Sequence, residues 1–267
     1  MTTILSVAIA TYLGMLALLF VFQRNLIFVP NRNPPDLAEA GMAGAMEAAH
    51  VKTADGLLLL AWYRPPANER APVLVFFHGN AGHIGHRAYR LPPFIEAGYG
   101  ILLAEYRGYG GNPGRPSAAG FEADGRAALD FLAGQGIDGD RLVLYGESLG
   151  SGVAVRMASE RACGALILEA PYTSVADVAQ DRYWMFPVRA LVLDKFDSMS
   201  RIGQARCPVL VMHGEHDRIV PLKFGRHLFE AAPEPREFKL FADGGHVGLV
   251  EQGANQAAMD FVRRMLR

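Results

Sequence analysis

The chain has 267 residues, 26 basic and 27 acidic side chains, a formal charge of −1, and 51% apolar residues. That balance leaves no basic footprint for nucleic acid, and the composition excludes collagen-like, disordered and disulfide-scaffold classes. Two cysteines, Cys163 and Cys207, cannot by themselves hold a four-ligand zinc and suit a reducing compartment.

The first element is apolar from end to end. Ile4 to Phe22 are 19 residues without a charge, and as a helix they extend about 28 Å, close to the hydrocarbon thickness of a bilayer. A secretory signal would carry basic residues ahead of a shorter apolar run and small residues at a cleavage site after it. Neither Met1-Thr2-Thr3 nor Gln23-Arg24-Asn25-Leu26-Ile27-Phe28 supplies these. A buried core helix would show one apolar stripe, and this run is apolar all round. We therefore expect a single-pass N-terminal transmembrane anchor over residues 1–23 and one domain over 24–267. Arg24 and Arg32 follow the span before the first acid, Asp36. By the positive-inside rule they place the domain on the cytoplasmic side.

After a linker rich in Pro, Asn and Ala, a hairpin is expected at His50–Thr53 and Leu57–Tyr63, turning at Ala54-Asp55-Gly56. Continuous β-rich apolar runs follow at Val73–Phe77, Gly100–Glu105, Leu142–Tyr145, Ala165–Leu168, Val209–Met212 and Glu237–Phe241. Strands of that kind are covered on both faces. Helical stretches alternate with them at Ala88–Ala97, Ala118–Leu132, Gly150–Glu160, Phe224–Ala231 and Gln252–Leu266. The alternation predicts an α/β fold with a mostly parallel sheet and helices on both faces. The long connection after Leu168 carries Tyr183-Trp184-Met185-Phe186-Pro187-Val188 and reads as a small helical cap over about 173–203.

Tyr145-Gly146-Glu147-Ser148-Leu149-Gly150 stands where a strand gives way to a helix. G-x-S-x-G in that setting is a nucleophile elbow: the turn is so tight that only small residues fit two before and two after the serine. A serine nucleophile needs a base and an acid to orient it. His246 lies in Gly244-Gly245-His246 past the last strand, and Asp217 in Gly214-Glu215-His216-Asp217 past the strand before it. Glu169, Glu215 and Asp243 are competing acids, the last too close in sequence to His246. His213 reads as a strand-end residue, His216 as a loop residue, and His50 and His227 as surface or partly buried side chains.

Two amides are required at a developing oxyanion. The backbone of Leu149 supplies one, and the loop His78-Gly79-Asn80-Ala81-Gly82 the other, at Asn80. His78, His83 and His86 have no carboxylate near them in sequence, so they are read as shaping that loop and not as metal ligands. Gly108-Tyr109-Gly110-Gly111 lacks the spacing and the lysine of a phosphate cradle.

Taken in order, His78-Gly79-Asn80-Ala81-Gly82, Tyr106-Arg107-Gly108-Tyr109-Gly110, Gly146-Glu147-Ser148-Leu149-Gly150, Gly214-Glu215-His216-Asp217 with Val220-Pro221, and Gly245-His246 resemble the α/β-hydrolase superfamily. More narrowly, they resemble membrane-anchored ABHD-type serine hydrolases of the bud-emergence-protein-like branch. The resemblance covers nearly all of the chain after Phe28. It implies the α/β-hydrolase fold, with a sheet of the eight-stranded type and a small cap, and a triad of Ser148, Asp217 and His246. It also implies an oxyanion hole at Asn80 and Leu149, no cofactor, and hydrolysis of carboxylic esters or thioesters of acyl or lipid-like substrates. A serine peptidase of the prolyl-oligopeptidase type and a non-catalytic membrane-tethered binding protein are the alternative readings.

Overall fold

The computed structural model describes residues 2–266. In chain order, α1 (Thr2–Ile27) leads into β1 (Val29–Pro30), β2 (Glu47–Lys52), β3 (Leu58–Arg64), β4 (Val73–Phe77) and β5 (Ala81–Gly82). Then come α2 (Pro92–Glu96), β6 (Gly100–Ala104), α3 (Ala118–Gly134), β7 (Leu142–Glu147), α4 (Leu149–Glu160) and β8 (Ala165–Glu169). The chain closes with α5 (Val175–Arg182), α6 (Val188–Leu191), β9 (Val209–Gly214), α7 (Leu222–Ala231), β10 (Arg236–Phe241) and α8 (Ala254–Met265).

Eight strands form one sheet in the order β2-β3-β6-β4-β7-β8-β9-β10. Its parallel part runs from β6 to β10, and the β2–β3 hairpin adds the antiparallel edge. All five residues of β4, β6 and β8 are buried, as the unbroken apolar runs require. Alternation sends Val73, Val75 and Phe77 into one core, beneath α3 and α4, and Leu74 and Phe76 into the other, beneath α2 and α8. This is the α/β-hydrolase architecture, with helices on both faces.

The expected helix at Ala88–Ala97 divides instead into a 3₁₀ segment, Ile84–Arg90, and α2. Pro92 and Pro93 lack the N–H groups that would continue a helix from the preceding turn, but they suit the first turn of a new one. The long connection after β8 holds α5 and α6 and ends in a 3₁₀ turn at Ile202–Gln204.

The N-terminal helix does not stand apart from the domain. It runs to Ile27, and Gln23 is its one buried residue. The Gln23 side chain donates to the carbonyls of Phe20 (2.9 Å) and Leu191 (3.3 Å) and accepts from the amide of Leu193 (2.8 Å). Arg24 Nε lies 2.7 Å from Asp194 Oδ2. Phe28 inserts edge-on against Phe121, at 5.2 Å between ring centres. Beyond it, β1 pairs in parallel with β5, joining the end of the helix to the loop after β4.

Candidate active site

Strand β7 ends in the elbow. Ser148 has φ 48° and ψ −117°, a backbone conformation rarely occupied by residues other than glycine. The surrounding positions explain why only glycine fits there. A Cβ on Gly150 would lie 2.1 Å from the carbonyl oxygen of Phe77, and one on Gly146 2.5 Å from Ser151 Cα. The amide of Ser148 donates to Glu169 O at 2.8 Å, tying the turn to the neighbouring strand.

The sequence-predicted residues converge at this turn. Ser148 Oγ lies 3.0 Å from His246 Nε2, and His246 Nδ1 lies 2.8 Å from Asp217 Oδ2. Asp217 is buried, and its other carboxylate oxygen accepts from the amides of Ile219 and Val220, each at 2.8 Å. The loops bearing Asp217 and His246 touch: a Cβ on Gly214 would approach Gly245 O to 2.2 Å. Burial alone would push the Asp217 carboxyl up. The hydrogen bonds from His213 and His246 and the nearby imidazole outweigh it, so the group is held well below the usual carboxylate range.

The competing acids are engaged elsewhere or face solvent. Glu169 is buried against Arg90 Nη2 (3.1 Å) and the Tyr145 hydroxyl, while Glu215 and Asp243 are exposed. His213 is fully buried behind Asp217, with Nε2 2.9 Å from Val220 O and 3.4 Å from Asp217 Oδ2. No helical spacing signals that contact, because His213 lies in β9 and Asp217 in the loop after it. His50, His216 and His227 are exposed.

The amides of Asn80 and Leu149 are left free by the hydrogen bonds among the described residues, and both residues line the same cavity as Ser148. Asn80 is fixed on three sides. Its side chain donates to Ile27 O (3.0 Å), and its carbonyl accepts from Val29 N (3.1 Å) and the Tyr109 hydroxyl (2.8 Å). The helix end thus buttresses the loop on which Asn80 sits.

Beneath the elbow lies a charged network that spacing along the chain did not reveal. Glu147 is paired with Arg87 (3.1 Å) and lies 3.8 Å from Arg90, which also pairs with Glu169. Burial raises the Glu147 carboxyl, and the two guanidinium groups more than offset that, leaving it below its ordinary value. His78 Nε2 meets Glu105 Oε1 at 2.8 Å, and the second Glu105 oxygen accepts from the amide of Ile84. Glu105 is the carboxylate partner that the local sequence around His78 did not show. The glycine-rich Gly108–Gly111 segment is a packing turn: a Cβ on Gly110 would lie 2.6 Å from Glu105 Oε2.

A cavity of about 290 Å³ opens from Ser148 between α1 and the α5–α6 connection, the segment expected to form a cap. Helix α1 lines it with Leu16, Leu19, Phe20 and Gln23, and α5 with Val175, Val178 and Ala179. Its walls are mostly apolar, with Arg182 the one charged residue among them.

Comparison with known proteins agrees with this architecture. A family model described as alpha/beta hydrolase fold matches residues 72–191. The alpha/beta hydrolase domain-containing protein WAV2 of Arabidopsis thaliana is 31% identical over 86% of this chain and 83% of its own. The lysophosphatidylserine lipase ABHD12 of Rattus norvegicus is 32% identical over 67% of this chain, which spans about 50% of that protein. An esterase of Pyrococcus furiosus shares the fold, with a TM-score of 0.70 over 90% of this chain and 98% of its own, at 15% identity. The chain belongs to the α/β-hydrolase family, of the ABHD type.

Proposed function

We propose that this chain is a membrane-anchored serine hydrolase that cleaves carboxylic esters or thioesters of acyl, lipid-like substrates. The observation that carries this reading is the hydrogen-bonded series Ser148, His246, Asp217, with Ser148 lining a largely apolar cavity. In the mechanism, the Ser148 hydroxyl donates its proton to His246 Nε2 as its oxygen attacks the acyl carbonyl. Asp217 accepts from His246 Nδ1–H, which fixes the tautomer and stabilises the imidazolium that forms. The amides of Asn80 and Leu149 bind the oxyanion, and His246 returns the proton to the departing alcohol or thiol. Water then attacks the acyl-enzyme by the same path and releases the acid.

Apolar walls and an adjoining apolar helix favour an acyl chain over a polar one. The lipase among the relatives acts on a lysophospholipid by its name, which agrees in kind with a single-chain substrate. Helix α1 is the anchor, and Arg24 and Arg32 orient the domain toward the cytoplasm. Protease protection of sealed vesicles tests that orientation, and a domain protected outside the cytoplasm overturns it.

The function itself is tested by fluorophosphonate labelling of the full chain, with the modified peptide located by mass spectrometry. An adduct on Ser148 that is absent in S148A, together with ester turnover, is the expected result. A folded protein that takes no label would overturn it in favour of a membrane-tethered binding protein.

A further inference from the structure

Many of the most solvent-accessible apolar side chains lie on α1 and on the cap beside it. Helix α1 presents Ile4, Leu13, Leu18, Val21 and Phe22, each more than half exposed. Beside it the tip of the cap presents Trp184 at 76% and Met185 at 56%, and the cap's other end Leu193 at 58%. Exposed apolar surface of this extent marks an interaction surface.

Helix and cap tip are joined at a definite height. Tyr12 donates to Met185 O at 3.1 Å, and its ring stacks on Phe186 at 5.4 Å. Toward the other end of the helix, Gln23 holds Leu191 and Leu193, and Arg24 holds Asp194. Tyr12 lies twelve residues before Arg24 in the sequence. At 1.5 Å per residue it stands about 18 Å further along the axis, near the middle of a hydrocarbon layer roughly 30 Å thick. If α1 crosses the bilayer with Arg24 at the interface, the tip bound to Tyr12 cannot remain in water.

The cap is built to tolerate that position. The carbonyls of Met185 and Leu191 and the amide of Leu193 are satisfied by side chains of α1, as backbone groups within lipid must be. The nearby carboxylates are paired, Asp177 with Arg189 at 2.8 Å and Asp181 with Lys223. Leu16, Leu19, Gln23 and Ile27 recur at helical spacing on the face of α1 that lines the cavity. From Ile27, beside Asn80, to Leu16 that stripe extends about 16 Å.

We propose that α1 and the cap together form an acyl-chain channel that opens sideways into one bilayer leaflet. The cap tip Tyr183–Met185 is immersed in that leaflet beside the helix. The substrate is then a bilayer-resident amphiphile with a single acyl chain. Its chain slides between α1 and α5 while its ester meets Ser148 near the interface. This deepens the hydrolase reading and rests on it and on α1 as the anchor.

Trp184 provides the test, because the chain's other tryptophan, Trp62, is buried. The full chain is placed in phosphatidylcholine vesicles whose acyl chains carry bromine at mid-depth, with W184F giving the Trp62 background. Quenching of Trp184 by the bromines, with little quenching by aqueous iodide, is expected; the reverse pattern overturns the immersion. Leu19→Trp narrows the channel. The ratio of kcat/KM for twelve-carbon over two-carbon esters should then fall about tenfold, about 1.4 kcal/mol. An unchanged ratio overturns the channel. Loss of fluorophosphonate labelling at Ser148 in the unmodified chain overturns the hydrolase reading and this route with it. Labelling that persists with an iodide-accessible Trp184 removes the immersed cap alone.

Discussion

The elbow over the sheet and the channel beside it are built on opposite principles. At the elbow, polar groups are buried and paired: Glu147 with Arg87, Glu169 with Arg90, His78 with Glu105, and Asp217 with two amides and His246. The ion pairs and the Asp217–His246 bond link different strands or loops, so the positions of Ser148 and His246 are set from several directions at once. The channel instead has apolar walls and a handful of polar ties, at Tyr12, Gln23 and Arg24. Preorganised dipoles suit a reaction common to many esters. Apolar area discriminates by length and girth, at about 1–3 kcal/mol per methylene. On this division the elbow decides whether an ester is cleaved, and the channel decides which one.

The comparison breaks most sharply at Ser148. Replacing it with alanine should lower kcat by about four orders of magnitude or more, equally for short and long esters. H246A should cost a similar amount, and the double variant little more, because the two act as one unit. Additive losses in a steady-state assay would show that they do not.

Asp217→Asn should lower kcat about 10²- to 10⁴-fold, through the wrong imidazole tautomer and the lost charge. It also carries a pH signature. The folded-state carboxyl is held below its ordinary value of 3.8, so its stabilisation is present above that pH and is lost as the pH falls. The melting-temperature gap between the unmodified protein and D217N should therefore be widest at neutral pH and narrow below pH 3.8. A gap that widens on acidification would contradict the ionised, hydrogen-bonded carboxylate.

Much of the elbow was legible in the sequence because its demands are local. Gly146 and Gly150 flank a turn that admits no Cβ, and the loops with Asp217 and His246 each follow a readable apolar strand. The network beneath was not legible, since Arg87 finds Glu147 across 60 residues and Arg90 finds Glu169 across 79. No periodicity encodes such pairs. In α1 the obstacle was different: the stripe facing the cap and the faces turned outward are equally apolar, so hydropathy cannot separate them. Gln23 was visible only as the end of an uncharged run, with its partners about 170 residues away.

Arg90 tests whether the buried network serves the elbow without shaping the channel. It is 3% exposed, pairs with Glu169, and lies 5.0 Å from the Phe76 ring and 5.5 Å from that of Tyr145. Arg90→Met keeps the apolar stem and removes the charge, leaving Glu169 buried without its cation. Breaking a buried pair on one side costs about 3–5 kcal/mol, which thermal unfolding in detergent would register as a clear drop in Tm. The rate should fall for every ester while the long-to-short ratio stays where it was. A changed ratio would mean that the two regions are not independent.

Gln23 gives the complementary and smallest effect. Q23A removes the donor to Leu191 O and the acceptor for Leu193 N, so α1 loses its central tie to the cap but keeps Tyr12 and Arg24. A lost hydrogen bond that strands a buried partner costs about 1–3 kcal/mol. Here that cost falls on the channel wall, away from the sheet. Twelve-carbon esters, which need the wall along its length, should lose several-fold more kcat/KM than two-carbon esters. The melting temperature should move less than in the Arg90 variant, because the core beneath the elbow is untouched. A uniform loss across ester lengths would place Gln23 with the elbow after all, through Ile27 and its hydrogen bond from Asn80, and would redraw the boundary between the two regions at the end of α1.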